Sequence, residues 1–180
     1  MGREPRPQIA SGIYHVTARG NRRQLIFFDE RDVLHFHAIA SDVVARHSWV
    51  VYGYCLMPNH YHLVLRTPGP DLSIGMQRLN SSYAHWFNRR HGLDGHLFQD
   101  RFWSILVESD AHLLELCRYV ALNPVRARLC AHPGAWRWSS FAEVCGRGPR
   151  ALVSTRELLR YFGSEKRRAA ERYREFICSA

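Results

Sequence analysis

The stretch Met57-Pro58-Asn59-His60-Tyr61-His62-Leu63-Val64-Leu65 decides how this chain is read. A Pro-Asn turn separates the apolar run Trp49 to Leu56 from a second apolar run, so the spacing predicts a hairpin of two strands, Trp49 to Leu56 and His60 to Arg66, joined at Met57-Pro58-Asn59. Strand side chains alternate, so His60, His62, Val64 and Arg66 leave one face while Tyr61, Leu63 and Leu65 leave the other. The larger apolar row belongs against a core, which puts the histidines on the open face. Two imidazoles pointing one way make half a metal site.

Working outward, Ile13 to Ala18 alternates as a first strand and breaks into the basic loop Arg19-Gly20-Asn21-Arg22-Arg23. Asp29 and Asp32 are spaced as a capping pair for a helix in which Val33, Phe36, Ala40, Val43 and Val44 recur up to His47. After the breaker Pro68-Gly69-Pro70, a second helix runs from an Asp71 cap to about Arg90, with Leu72, Met76, Leu79, Tyr83, Trp86 and Phe87 inward and Arg78, Asn80, His85 and Arg89 outward. A Gly-punctuated loop, Gly92 to Asp100, leads to a fourth strand, Phe102 to Val107. Then Asp110 caps a third helix that is expected to stop at Asn123-Pro124. The order β-α-β-β-α-β followed by α predicts an α+β, ferredoxin-like split βαβ fold: an antiparallel sheet with helices on one face and the other face free for ligands.

The aromatic cluster Trp136-Arg137-Trp138-Ser139-Ser140-Phe141 is expected to fold back on this domain. The organisation read from the chain is an N-terminal arm over 1–12, one domain over 13–144 and a basic helical tail over 145–180.

With 180 residues and 46% hydrophobic content, the chain can bury one sizeable core. It contains no window of eighteen consecutive apolar residues and its Pro/Arg-rich start has no apolar segment, so a cytoplasmic protein is expected. Five scattered cysteines without a C-x-x-C pair argue for reduced thiols rather than a disulfide framework or a zinc ribbon. The net charge is +9, and every basic residue except Lys166 is arginine. Guanidinium forks suit phosphate, which favours a polyanionic partner, although GC-rich codon usage raises arginine content for unrelated reasons.

On the third helix, Leu113, Leu114, Leu116, Cys117, Val120 and Ala121 share one arc, the stripe to be buried. His112, Tyr119 and Asn123 fall together on its flank. The residue before a proline is pushed out of helical dihedrals, so Asn123 either ends this helix or caps a new one at Pro124. Either way it lies one turn from Tyr119.

Five blocks in order resemble the IS200-like single-tyrosine HUH (His-hydrophobe-His) transposases, and within them the REP-associated tyrosine transposases. They are Tyr14-His15-Val16-Thr17-Ala18-Arg19-Gly20-Asn21, Leu56-Met57-Pro58-Asn59-His60-Tyr61-His62-Leu63-Val64, Gly95-His96-Leu97-Phe98-Gln99, Arg118-Tyr119-Val120-Ala121-Leu122-Asn123-Pro124-Val125-Arg126-Ala127 and Trp138-Ser139-Ser140-Phe141. The resemblance implies cleavage and rejoining of single-stranded DNA beside a hairpin through a 5'-phosphotyrosine on Tyr119. It also implies a divalent ion, Mg2+ or Mn2+, on His60, His62 and Asn123, and a monomer, with a dimer as the alternative.

For DNA contacts the sequence offers Arg19, Asn21, Arg22 and Arg23 after the first strand and Gln99 and Arg101 before the fourth. Arg78 and Asn80 on the second helix and Trp103 as a stacking platform complete the set. His112 is read as structural, and Tyr83 and Trp86 as core. Two rival functions share the fold: a catalytically silent, domesticated regulator that binds hairpin nucleic acid, and a phosphoesterase using water in place of Tyr119.

Overall fold

A computed structural model describes residues 9–145 and 152–179. Most of the expected arm, residues 1–8, and the Gly/Arg stretch over 146–151 lie outside the described residues. Strands β1 (Ile13–Arg19), β2 (Val50–Met57), β3 (His60–Arg66) and β4 (Trp103–Leu106) form one antiparallel sheet in the order β2-β3-β1-β4. This is the split βαβ arrangement the element order predicts, with β1 and β3 at the centre. Helices α1 (Glu30–Arg46) and α2 (Leu72–His91) cover one face, where Tyr61 meets Phe36 of α1 and its hydroxyl donates to Asn80 of α2 at 2.6 Å.

The opposite face is only partly open. Helix α3 (Asp110–Arg126) lies across β2 and β3, and the chain approaches closely at Gly53, where an added Cβ would already touch the Sγ of Cys117 at 3.6 Å. A ligand face is therefore left over β1 and β4, at the edge of α3. Nor does α3 stop at Asn123. It continues through a buried Pro124, which forfeits one backbone bond in a final turn where the Ala127 and Leu129 amides still donate to the Asn123 and Pro124 carbonyls. Asn123 is thus helical and stacks one turn above Tyr119.

Two capping assignments change. The α3 cap is Ser109, whose hydroxyl accepts from the His112 amide at 3.2 Å, rather than Asp110. Asp71 stands at the start of α2, but its carboxylate is taken by His47 Nδ1 at 2.5 Å and the Trp49 indole at 3.0 Å. The Asp29–Asp32 capping box forms as expected, and Arg90 and His91 at the end of α2 pair with it. The end of α2 therefore ties the two helices together around a fully buried Asp32.

The outer edge of β2 is protected. The Leu56 amide donates to the Trp138 carbonyl at 2.9 Å, the Trp136 indole donates to the Leu56 carbonyl, and Val51 exchanges bonds with Ser154. Helices α4 (Ser140–Val144), α5 (Thr155–Leu159) and α6 (Lys166–Cys178) follow. The C-terminal segment is helical and basic, but it is no solvated tail. Leu158, Tyr173 and Ile177 are wholly buried in the same core as the sheet, and Arg118 of α3 lies over the Phe176 ring at 3.8 Å. Each such burial is worth about 1.5–3 kcal/mol. The five cysteines form no disulfide among the described residues. No helix among the described residues is long and apolar enough to cross a membrane.

Candidate active site

The pairing of β1 with β3 sets Thr17 opposite His62 and Arg19 opposite His60, and the pairing of β1 with β4 sets Trp103 opposite Thr17. Period-two alternation then puts His15, Thr17, Arg19, His60, His62, Trp103 and Ile105 on the face that α3 leaves uncovered. From α3, Tyr119 reaches over this row. Its ring centroid lies 5.8 Å from that of His62 and 6.2 Å from that of His15, and its side chain is 38% exposed.

Hydrogen bonds determine which nitrogen each histidine presents. The Asn59 side chain donates through Nδ2 to the Arg23 carbonyl at 3.1 Å, so its oxygen is the end that meets His60 Nδ1 at 2.7 Å. His60 must then donate from Nδ1 and keep a lone pair on Nε2. Asn123 Nδ2 lies 3.3 Å from His62 Nε2, while His62 Nδ1 faces His15 Nε2 at 3.0 Å and Thr17 Oγ1 at 3.3 Å. His62 thus also carries its proton on Nδ1 and its lone pair on Nε2. The carboxamide of Asn123 thus faces the acceptor nitrogen of His62 and also contacts the His60 side chain.

Burial keeps these rings neutral. It lowers His60 to about 4, assisted by the charge of Arg19, and His62 to about 3, assisted by His15 and His60. His15 falls to about 4 by burial and by its proximity to His112. Neutral imidazoles with free Nε2 lone pairs are what a divalent cation requires. Among the described residues no three His, Cys, Asp or Glu side chains form a metal cluster; the further side-chain group that reaches the His60–His62 pair is the amide of Asn123. Two imidazoles and an amide could hold a divalent ion whose remaining positions are filled by water.

An acid sensitivity follows. Because these three pKa values lie below the unfolded value of 6.5, the unfolded chain takes up protons first as the pH falls. Their contribution to stability is complete above pH 6.5 and is lost as the pH drops towards 4 and 3. After discounting for partial exposure, calorimetry is expected to show the melting temperature falling by about 5 °C per pH unit between pH 6.5 and 4.5. A flat profile over that window would contradict the buried, neutral histidines.

The cleft beside Tyr119 encloses about 390 Å3 and is lined by His15, Thr17, Arg19, His62, Gln99, Asp100, Arg101 and Trp103. The structure therefore gathers Tyr119, His60, His62, Asn123, Arg19, Gln99, Arg101 and Trp103. Trp103 is 47% exposed, as a stacking platform must be. Asn21, Arg22 and Arg23 do not line the cleft; they form a short 3-10 turn just after β1, with Arg22 and Arg23 at φ 52° and 61°, a conformation that costs roughly 1 kcal/mol or more at each. Arg78 and Asn80 are not brought here: Arg78 lies exposed near Asp42 of α1, on the far side of the sheet. Tyr83 is buried with its hydroxyl on the Ile26 carbonyl, and Trp86 stacks on His35 at 3.8 Å, so both are packing residues.

Sequence reasoning passed over His15, Thr17 and Asp100 as site residues. The signal for the first two was present, since His15 and Thr17 alternate on β1 as His60 and His62 do on β3. Only the strand register shows that the two rows adjoin.

A central His-x-His strand facing a helix-borne tyrosine across an antiparallel sheet defines the single-tyrosine HUH class. The chain belongs to the family described as "Transposase IS200 like", whose model matches residues 8–123. A Haemophilus influenzae protein described as a REP-associated tyrosine transposase is 26% identical over 98 residues, covering 48% of this chain and 56% of that protein. The matched part thus spans little more than half the length of that curated relative. A solved REP-associated tyrosine transposase bound to a REP hairpin shares the fold at a TM-score of 0.69 and 20% identity, over 84% of this chain and 90% of that one.

Proposed function

We propose that the chain cleaves and rejoins single-stranded DNA beside a hairpin by covalent attachment of the 5' end to Tyr119. The observation that carries this reading is the exposed Tyr119 ring beside His62 at the edge of a basic cleft. Family membership supports it, and so does the hairpin held by the solved relative.

In the proposed reaction the Tyr119 hydroxyl attacks the scissile phosphorus. An O–P bond forms to the phenol oxygen, the bond to the 3' oxygen breaks, the phenolic proton passes to solvent, and the 3' oxygen leaves as a hydroxyl after taking a proton from water. A phosphodiester replaces a phosphodiester, so the reverse attack by a 3' hydroxyl rejoins strands without an external energy source. Arg126 lies over the Tyr119 ring at 5.1 Å, which steadies the phenol by cation–π attraction and brings a positive charge near the phosphate. Arg19 and Arg101 line the cleft as phosphate anchors, and Trp103 offers a face for an adjoining base. His60, His62 and Asn123 would hold Mg2+ or Mn2+, and a bound ion would supply Lewis-acid stabilisation of the phosphate's developing charge.

His15 acts behind this set by fixing the tautomer and orientation of His62. His15→Phe, which keeps the ring volume, is expected to weaken Mn2+ binding by about 10- to 100-fold in calorimetric titration while leaving hairpin affinity within about twofold. The function itself is tested by incubating the protein with hairpin oligonucleotides and Mn2+ and looking for covalent adducts on denaturing gels. Binding without adducts or cleavage would favour the silent regulator.

A further inference from the structure

A groove of about 650 Å3, larger than the Tyr119 cleft, lies between α2 and the segment 95–102 that leads into β4. Gln77, Asn80 and Ser81 line it from α2, and Phe98, Gln99 and Arg101 from the segment. Gln99, Asp100 and Arg101 line the Tyr119 cleft as well, so one ridge separates the two cavities. That ridge is anchored to the strand that carries His15 and Thr17. Phe98 bridges Gly20, the Gln99 amide donates to the Arg19 carbonyl at 3.0 Å, and the Asn21 amide donates to the Leu97 carbonyl at 2.8 Å.

The chemistry on the far side of the ridge differs from that of the cleft. Phe98 supplies an aromatic wall, braced by Tyr61 and Tyr83 at centroid distances of 6.2 and 6.5 Å. The oxygen of Asn80 is held by the hydroxyl of the fully buried Tyr61 at 2.6 Å, which orients the amide and leaves its NH2 end for the groove. Gln77 and Gln99 add amides with a donor and an acceptor end each, and Ser81 adds a hydroxyl. Neutral amides beside an aromatic face suit a nucleobase, whose π face stacks while its edge is read by hydrogen bonds. Phosphates are drawn instead to Arg19 and Arg101, on the cleft side and on the ridge.

We infer that this groove receives one unpaired base of the strand whose phosphate lies at Tyr119, the strand crossing the ridge of Gln99 to Arg101. The inference rests on the proposed DNA substrate and adds a base-reading site on the opposite side of that ridge. Asn80, remote from the tyrosine, then contacts DNA here.

The test is fluorescence anisotropy with hairpin oligonucleotides carrying a single-stranded flank, either intact or with one abasic site moved stepwise along it. In the wild-type protein, one flank position is expected to lose about 10-fold in affinity when its base is removed. Ser81→Trp, a change at an exposed position of α2 that fills the groove, is expected to bind the intact strand as weakly as the wild type binds that abasic strand, so the difference disappears. A flat abasic profile in the wild type overturns the inference, as does an undiminished abasic penalty in Ser81→Trp. Failure of the wild type to bind any of the oligonucleotides overturns the DNA reading itself, and this site with it.

Discussion

Tyr119→Phe is expected to abolish covalent adducts with hairpin oligonucleotides while leaving their binding within about twofold of wild type. The substitution removes one oxygen and keeps the ring, so the contacts with His15, His62 and the Arg126 guanidinium persist. The side chain is 38% exposed, and no core packing depends on the hydroxyl. Without the nucleophile the attack has no acceptor for the 5' phosphate, and a loss of roughly a thousandfold or more is expected. Denaturing gels with end-labelled strands report adduct and cleavage together. Cleavage that survives in Tyr119→Phe without an adduct would make water the nucleophile and this chain a phosphoesterase.

The second large effect concerns His60. Its Nδ1 bonds only the neighbouring Asn59 at 2.7 Å and it sits at the end of β3, half-buried, so His60→Ala removes a donor without opening the core. His62 is less suited to the experiment, being 5% exposed and joined to His15, Thr17 and Asn123. His60→Ala is expected to need roughly 100-fold or more Mn2+ for half-maximal adduct formation. Metal-free hairpin binding should change by no more than a few-fold. If the Mn2+ requirement of His60→Ala matched that of the wild type, the pair His60–His62 would not be the cation site.

The two predictions separate roles that lie on different elements. The tyrosine belongs to α3, while the histidine pair belongs to the central strand, and each was legible in the sequence for a different reason. His60-Tyr61-His62 stands out because strand alternation is a strict period, and Tyr61, Leu63 and Leu65 do face α1 and α2 as that period requires. Tyr119 was legible as the flank of an amphipathic helix whose stripe of Leu113, Cys117, Val120 and Ala121 is indeed buried.

The misjudged features have physical causes. Asp71 was a plausible cap by type, but a carboxylate goes to its strongest donors, and tertiary structure supplies an imidazole and an indole. Pro124 signals a helix end locally, yet in the last turn a missing amide costs one bond, and burial of Pro124 against the core offsets it. The C-terminal segment reads as a basic tail because nine of the 25 arginine and lysine residues fall within 145–180. Ala169, Tyr173 and Ile177 nonetheless recur at helical spacing and close the core behind α3.

By itself the sequence determined the order of elements, the faces of each strand and the residue types of the site, since these follow from local periodicity and turn chemistry. Only the tertiary structure decided that His15 stands behind His62, that α3 narrows the open face to a cleft, and that Arg78 and Asn80 lie away from Tyr119. Those relations depend on strand register and on how closely a helix can approach at Gly53. Both are set by packing between segments far apart in the chain, which no local pattern records.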